Sequence, residues 1–181
     1  MGSSTSTELV CVPHVQTSRF MGTWFVIGVL PTPFETTCEN AVEKYSFRNN
    51  DDETRIDIDF TYRNEGDKKR KLRSLPQRGW VNDPAVGSEW KVQAFWPLKM
   101  PYKIIELDAE YDSVVIGYPS RKYAWIMGRK PTMDEKKYQK YVDDLSKKHG
   151  YDEEFVNKHL RKVPQNWDEE EKKLRDVEEV F

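Results

Sequence analysis

The stretch RFMGTWFVIGVLPTPFE, residues 19–35, carries the first structural signal of the chain. Gly22 stands two residues before Trp24, an apolar run continues to residue 30, and a proline-rich segment follows. An apolar run of this length between a glycine and prolines is typical of a buried strand that leads into a loop. We therefore interpret residues 24–30 as the first strand of a β-structure.

The clearest alternation follows in RIDIDFTYR, residues 55–63, where Ile56, Ile58 and Phe60 alternate with Asp57 and Asp59. One face of this strand is apolar, and the other is polar and faces solvent. Strands are predicted at 24–30, 41–47, 55–63, 71–75, 89–96, 102–107, 113–118 and 123–129. Their connections are rich in Asn, Asp, Gly and Pro and hold no helical stretch, so sequential strands form hairpins. The prediction is an all-β protein, an eight-stranded antiparallel up-and-down barrel, because closure removes both exposed edges.

The pattern changes to helical after the strands. TMDE predicts a capping box in which Thr132 is the cap and Glu135 reaches back, and Gly150 ends the helix. This helix is expected to pack on the outside of the barrel with the stripe Tyr138, Tyr141, Val142, Leu145 and His149. A second short helix begins at Asp152.

The last residues predict a charged helical tail capped at Asn166. Its apolar stripe is narrow, so we expect the tail either to pack loosely on the barrel or to bind another surface. The stripe consists of Trp167, Leu174, Val177 and Phe181. The expected organisation is a flexible segment over 1–12, the barrel with its flanking helix over 13–163 and the tail over 164–181.

Composition narrows the classes of function. Lys plus Arg number 29 against 31 Asp plus Glu, so no overall field favours nucleic acid. No apolar run reaches the roughly 20 residues of a membrane-spanning helix, and the polar start lacks the apolar centre of a signal peptide. We expect a soluble or peripheral protein of unassigned compartment. Spacing alone leaves open whether Cys11 and Cys38 form a disulfide.

The segments quoted above, with EYDSVVIG at residues 110–117, resemble the lipocalins, in the branch of bacterial outer-membrane lipocalin, plant temperature-induced lipocalins and apolipoprotein D. The resemblance covers about residues 13–163. It implies that Gly22 and Trp24 are the G-x-W signature and that Trp24 plugs the closed end of the barrel. It also implies that Arg129 lies across Trp24 in a cation–π contact, so that these three residues are structural.

Charged residues assign faces to several strands, because a one-residue step moves a side chain to the other face. We predict ligand contacts from the inward positions and the first loop: Val26, Phe34, Ile58, Phe60, Tyr62, Trp90, Val92, Trp96, Tyr102, Ile104, Glu106, Tyr123, Trp125 and Met127. Gly28 is also expected to point inward. For any one aromatic side chain a filled core is the simpler interpretation, but many buried N–H and O–H groups favour a cavity. Glu106 either contacts ligand or pairs with Arg or Lys at a strand end.

The resemblance places the loops after the first, third, fifth and seventh strands at the open end. These loops predict a membrane-facing rim of basic and apolar side chains, with solvated turns as the equal alternative. The rim comprises Lys68, Lys69, Arg70, Lys71, Leu98, Lys99, Met100, Arg121 and Lys122, with Phe34 as a further apolar point.

The leading hypothesis is a non-enzymatic carrier of a small hydrophobic or amphipathic ligand, such as a fatty acid or lysophospholipid, at an anionic membrane surface and as a monomer or homodimer. The alternative is an isomerase- or de-epoxidase-like enzyme that uses Glu106 or a lumen tyrosine as acid or base. A third hypothesis is that the helical tail binds a partner. His14, His149 and His159 fall outside the strands, so we expect no metal, haem or other cofactor in the barrel and assign no catalytic residue.

Overall fold

Nine strands form one sheet in the computed structural model, which describes residues 7–181. The strands are β1 (Gly22–Leu30), β2 (Cys38–Asn49), β3 (Asp52–Asn64), β4 (Arg73–Val81), β5 (Glu89–Phe95), β6 (Leu98–Leu107), β7 (Ser113–Gly117), β8 (Ala124–Gly128) and β9 (Arg161–Lys162). Neighbours in sequence pair antiparallel from β2 to β8, and β1 pairs with both β8 and β2. The predicted closed eight-stranded antiparallel barrel is confirmed, and the short β9 adds to the second half of β1.

Strand β4 is longer than the predicted run at 71–75, because it continues through Pro76 and Gly79. Proline lacks the N–H that a central strand needs. Here β4 pairs with β5 only over residues 78–81, so Pro76 lies beyond that ladder and forfeits no hydrogen bond to β5.

Four helices accompany the barrel, and all but the first follow its last long strand. They are α1 (Thr17–Phe20), α2 (Glu135–Lys147), α3 (Glu153–His159) and α4 (Glu169–Leu174), and a 3-10 turn covers Glu178–Val180. The predicted caps of α2 and α4 were two residues too early. Asp134 and Asp168 cap them instead, because each carboxylate directly precedes its helix and accepts the third backbone N–H.

Helix α2 packs on the outside of the barrel, as predicted. Tyr138, Tyr141 and Leu145 of the predicted stripe are buried against the sheet. The Tyr141 hydroxyl also lies 2.8 Å from Ser113 Oγ on β7, so this buried hydroxyl has a partner.

The base of the barrel is closed around Trp24. Its indole N–H donates to the Phe20 carbonyl over 2.8 Å, so α1 is held beneath the barrel. The Arg129 guanidinium lies 3.8 Å from the Trp24 ring centroid and donates to the carbonyls of Arg19 and Thr23 at 2.7 and 2.9 Å. Burial lowers the pKa of Arg129 to about 10, so it stays charged at neutral pH.

Both ends of the described chain also lie against the barrel. Leu9 is buried, and the Val12 N–H donates to the Ile104 carbonyl over 2.9 Å. Residues 1–6 of the segment expected to be flexible lie outside the described residues. In the tail, the rings of Trp167 and Phe25 meet edge to face at 5.7 Å.

An ion cluster anchors the tail more firmly than its narrow apolar stripe suggested. Glu171 is buried and lies 2.9 Å from Arg63 Nε on β3 and 3.1 Å from Arg175. Arg175 in turn donates to the Asn40 carbonyl over 2.7 Å. The sequence interpretation counted apolar positions only and therefore missed the charged half of this contact.

Both cysteines are free thiols, which answers the question that their spacing left open. Cys38 is buried at the start of β2, and burial raises the pKa of its thiol to about 12. Cys11 is half-buried, and its thiol pKa is raised by burial as well.

The β-bulges in β1, β5 and β6 change which face the side chains occupy. Register shifts occur between Val26 and Gly28, between Val92 and Phe95, and after Ile104. Each shift reverses the inward and outward alternation beyond it. Gly28 was expected to point inward and in fact faces α2, where a Cβ in place of its hydrogen would come 2.7 Å from the Tyr138 hydroxyl.

Candidate functional site

An apolar cavity of about 280 Å³ occupies the barrel lumen and opens at the mouth, the end that carries the loops after β1, β3, β5 and β7. Its size lies near the lower end of small-molecule sites, roughly 300–1,000 Å³. The structure places eight of the predicted contacts on its wall: Phe34, Ile58, Phe60, Val92, Tyr102, Tyr123, Trp125 and Met127.

Four other predicted contacts point inward without reaching the cavity. Val26, Trp90 and Ile104 are fully buried in the packed part of the barrel. Trp90 stacks on Tyr102 at 5.0 Å and donates its indole N–H to the Gly87 carbonyl at 2.8 Å. Tyr62 stacks on Phe60 at 4.9 Å beside the cavity wall. These side chains fill the barrel, so the filled-core interpretation applies to them.

Trp96 and Glu106 do not face the lumen at all. Trp96 is 86% exposed in the turn between β5 and β6, beyond the bulge that shifts the register after Val92. Glu106 follows the bulge in β6 and lies outside, 2.8 Å from His149 Nε2 at the end of α2. A role for Glu106 as an acid or base inside the barrel is therefore wrong.

Two carboxyl groups of the cavity wall, Glu35 and Glu43, were missed by the sequence analysis. Glu35 lies in the first loop, where no alternation assigns a face. Glu43 stands beside Lys44 in β2, so charge could not say which of the two points outward. The β1–β2 register would have settled it, because Glu43 pairs with the inward Trp24. The remaining wall positions are Thr32, Pro33, Leu75, Gln77, Ala94, Phe95, Leu98, Met100, Pro101 and Ile116.

Glu35 joins the first loop to the barrel. One carboxylate oxygen accepts the Trp125 indole N–H over 2.7 Å, and the other accepts the Thr32 hydroxyl and backbone N–H at 2.6 and 3.0 Å. Burial raises the pKa of Glu35, and these hydrogen bonds oppose the rise. Both oxygens of this carboxylate are engaged by donors, so Glu35 acts as a tether.

Glu43 lies at the floor of the cavity, where the β1–β2 ladder pairs it with Trp24. Its Oε2 accepts a short hydrogen bond from the Tyr45 hydroxyl, which lies 2.8 Å from the Tyr102 hydroxyl. Burial raises the pKa of Glu43 to about 7. In the described part of the chain, no Lys, Arg or His lines this cavity. The lumen is therefore apolar with an acidic floor.

The mouth exposes a cluster of large apolar side chains, which we name the apolar tip: Phe34, Phe95, Trp96 and Leu98. The rings of Phe34 and Phe95 are 5.4 Å apart, so the first loop and the β5–β6 turn meet there. Met100, assigned to the rim from the sequence, is half-buried and lines the cavity instead.

The basic rim is only partly free. Lys68, Lys69, Lys71 and Lys122 are exposed. Lys99 Nζ lies 4.0 Å from the Trp80 ring centroid. Arg70 is engaged by Glu171 at 3.0 Å.

Arg121 was also assigned to the rim, and it donates to the backbone carbonyls of His149 and Thr7 at 2.7 and 2.6 Å. The structure thus uses Arg70 and Arg121 to hold the tail and the chain start.

No three His, Cys, Asp or Glu side chains within residues 7–181 are arranged to hold a metal ion. Among the helices described for this chain, none has the length and apolar character needed to cross a bilayer.

A closed antiparallel barrel with a plugged base and an apolar lumen that opens at the other end defines a protein that holds small hydrophobic molecules. The chain belongs to the lipocalin family, whose model, described as a lipocalin-like domain, matches residues 15–165. Lipocalins bind small hydrophobic ligands and are generally binding or transport proteins.

Two relatives belong to groups of lipocalins that the sequence was found to resemble. Temperature-induced lipocalin-1 of Arabidopsis thaliana is 28% identical over 168 residues, which cover 88% of this chain and 84% of the relative. Outer membrane lipoprotein Blc of Citrobacter freundii is 30% identical over 132 residues, with 71% and 70% covered.

Solved structures share the fold. Insecticyanin from the tobacco hornworm Manduca sexta gives a TM-score of 0.63 at 11% identity, covering 91% of this chain and 87% of that one. Lobster apocrustacyanin A1 gives 0.60 at 15% identity, covering 83% and 79%.

Proposed function

We propose that this lipocalin binds and carries one lipid-like molecule, a fatty acid, a lysophospholipid or a similar lipid, with its apolar chain in the lumen. The observation that carries the proposal is the cavity itself, whose wall between the mouth and Glu43 is almost entirely apolar. Burial of a hydrocarbon chain there contributes about 0.8 kcal/mol per methylene group.

We further propose that loading and unloading take place at an anionic membrane surface. The apolar tip offers side chains that can enter the interfacial region, and four exposed lysines stand on neighbouring loops. Each basic residue near such a surface contributes about 1 kcal/mol. The name of the Citrobacter freundii relative, an outer membrane lipoprotein, is consistent with work at a membrane.

Substitution of two tryptophans tests the two parts of the proposal, lumen binding and membrane contact, separately. Trp125 lines the cavity, whereas Trp96 belongs to the apolar tip and lies outside it. We expect Trp125→Ala to weaken binding of monomeric dodecanoic acid about tenfold and to leave vesicle binding unchanged. We expect Trp96→Ala to have the opposite pattern, with loss of binding to vesicles that contain anionic phospholipid.

Calorimetric titration with dodecanoic acid and vesicle co-sedimentation measure the two effects. Equal fatty-acid affinity in wild type and Trp125→Ala would remove the lumen as the binding site. Vesicle binding that is unchanged in Trp96→Ala would remove the apolar tip as the membrane contact.

A further inference from the structure

One acceptor at the floor of the cavity has no donor in the part of the chain that the structure describes. Glu43 is only 8% exposed and lies on the cavity wall. Its Oε2 accepts from Tyr45, whose hydroxyl is bonded to that of Tyr102. Within residues 7–181, no side chain or backbone group donates to Oε1. Oε1 faces the cavity, so a bound molecule that displaces water from it must supply a hydrogen bond in its place.

The second carboxyl group of the cavity wall and the hydroxyl next to Glu43 are already engaged. Glu35 accepts three hydrogen bonds from Thr32 and Trp125. The hydroxyl of Tyr45 is shared between Glu43 and Tyr102. Of the carboxylate oxygens on the described cavity wall, Glu43 Oε1 is thus the one without a donor.

The charge of the cavity tells which head group fits there. Glu35 and Glu43 are both acids, and no basic side chain of the described chain lines the wall to balance them. A carboxylate or phosphate at the floor would meet a like charge in a poorly hydrated place. A hydroxyl or ammonium group would instead donate to Glu43.

We propose that the floor is a subsite for a hydrogen-bond donor, so that the preferred ligand is an elongated apolar molecule ending in an alcohol or a primary amine, bound with that end at Glu43. This inference rests on the proposed function and names the ligand class of the same lumen. An acidic lipid can occupy the lumen only with its head at the mouth, where the lysines stand.

Three probes with one chain length test the head-group preference: dodecanol, dodecylamine and dodecanoic acid, below their aggregation concentrations and at about pH 8.5, where acid and amine are ionised in water. Isothermal titration of the full chain gives the three dissociation constants. We expect the alcohol and the amine to bind at least tenfold more tightly than the acid.

The Glu43→Gln variant keeps the shape of the floor and removes its charge. We expect it to lose at least tenfold in amine affinity and to bind dodecanoic acid as well as or better than wild type. Glu110→Gln is the matched control, because Glu110 is exposed in a turn at the base. Circular dichroism checks that each variant is folded.

The outcomes separate the two ideas. If the acid binds and Glu43→Gln leaves the order of the three probes unchanged, the donor subsite is overturned while the carrier function stands. If none of the three probes binds the folded wild type, the lumen function fails and the subsite fails with it.

Discussion

The indole N–H of Trp125 on β8 donates to a Glu35 carboxylate oxygen across 2.7 Å, and this bond ties the first loop to the barrel wall. Thr32 supplies two further donors to the same carboxylate from within the loop. The loop that borders the mouth is therefore held by a polar contact buried among apolar side chains, where hydrogen bonds are strong and costly to lose.

Loss of this tether should loosen the first loop. Glu35→Ala leaves three donors without their acceptor, and we expect a loss of about 1–3 kcal/mol in unfolding free energy. Amide hydrogen exchange should accelerate over residues 31–37 and stay unchanged in β3. Thr36→Ala, at an exposed position of the same loop, is the control. Unchanged exchange over 31–37 in Glu35→Ala would contradict the tether.

The base plug should depend on the Arg129 guanidinium. Arg129→Met removes the cation over Trp24 and the donors to the carbonyls of Arg19 and Thr23. We expect a loss of about 2–4 kcal/mol, measured by chemical denaturation. Lys130→Met, at the exposed neighbouring position, should change stability by less than about 0.5 kcal/mol. A loss in Arg129→Met no larger than in this control would refute the role of the plug.

Glu43 should make the folded state less stable as pH rises. Its pKa is raised by burial from 4.5 to about 7, so between these values the folded state holds a proton that the unfolded state has lost. Unfolding free energy therefore falls with rising pH, by about 3 kcal/mol in total from this group. The groups that act on Glu43 are Glu35, which favours the protonated form, and Tyr45, whose hydrogen bond favours the ionised form.

Comparison with Glu43→Gln isolates this effect, because Glu35 contributes a fall of the same sign in both proteins. Urea denaturation between about pH 4 and 8 should show a steeper fall in wild type than in the variant. Parallel curves for the two proteins would mean that the Glu43 carboxyl titrates as an ordinary exposed acid.

The tail should depend on Glu171. Burial opposes ionisation of this carboxyl, but hydrogen bonds from Asn40, Arg63 and Arg175 outweigh it and lower its pKa. Its contribution is present above the unfolded pKa of 4.5 and is lost as pH falls through the lower folded value. Glu171→Gln leaves two buried guanidinium groups without their anion and should cost about 3–5 kcal/mol at neutral pH.

Limited proteolysis and thermal unfolding measure the Glu171→Gln effect, with Glu170→Gln as the control on the same helix, where the side chain is exposed. Early cleavage within residues 164–181 in the first variant alone is the expected pattern. Equal protection in both variants would show that the ion cluster does not hold the tail.

Strands whose outer face is charged at every alternate position could be predicted from the sequence, because several charged side chains in a row are expected to face water. Ile58 and Phe60 were placed correctly for this reason, since aspartates stand between and beside them. The alternation fails beyond a bulge, and Glu106 and Trp96 were misplaced there. A bulge depends on the pairing of two strands, which one strand's own pattern does not contain.

The inward position of Glu43 could not be predicted from the sequence for a related reason. In β2 the neighbours Glu43 and Lys44 are both charged, so charge alone does not decide which of the two side chains points outward. The choice depends on contacts distant in sequence. Lys44 finds the Arg175 carbonyl at 2.7 Å in the tail, which draws it outward and leaves Glu43 within the barrel.

The Trp24 plug closes one end of the barrel, so a ligand can reach the lumen only from the other end. Any guest must depart by the route through which it arrived, past the first loop and the β5–β6 turn. If the proposed carrier function holds, uptake and release share this one opening, and we expect the residence time of a ligand to depend on movement of residues 31–37.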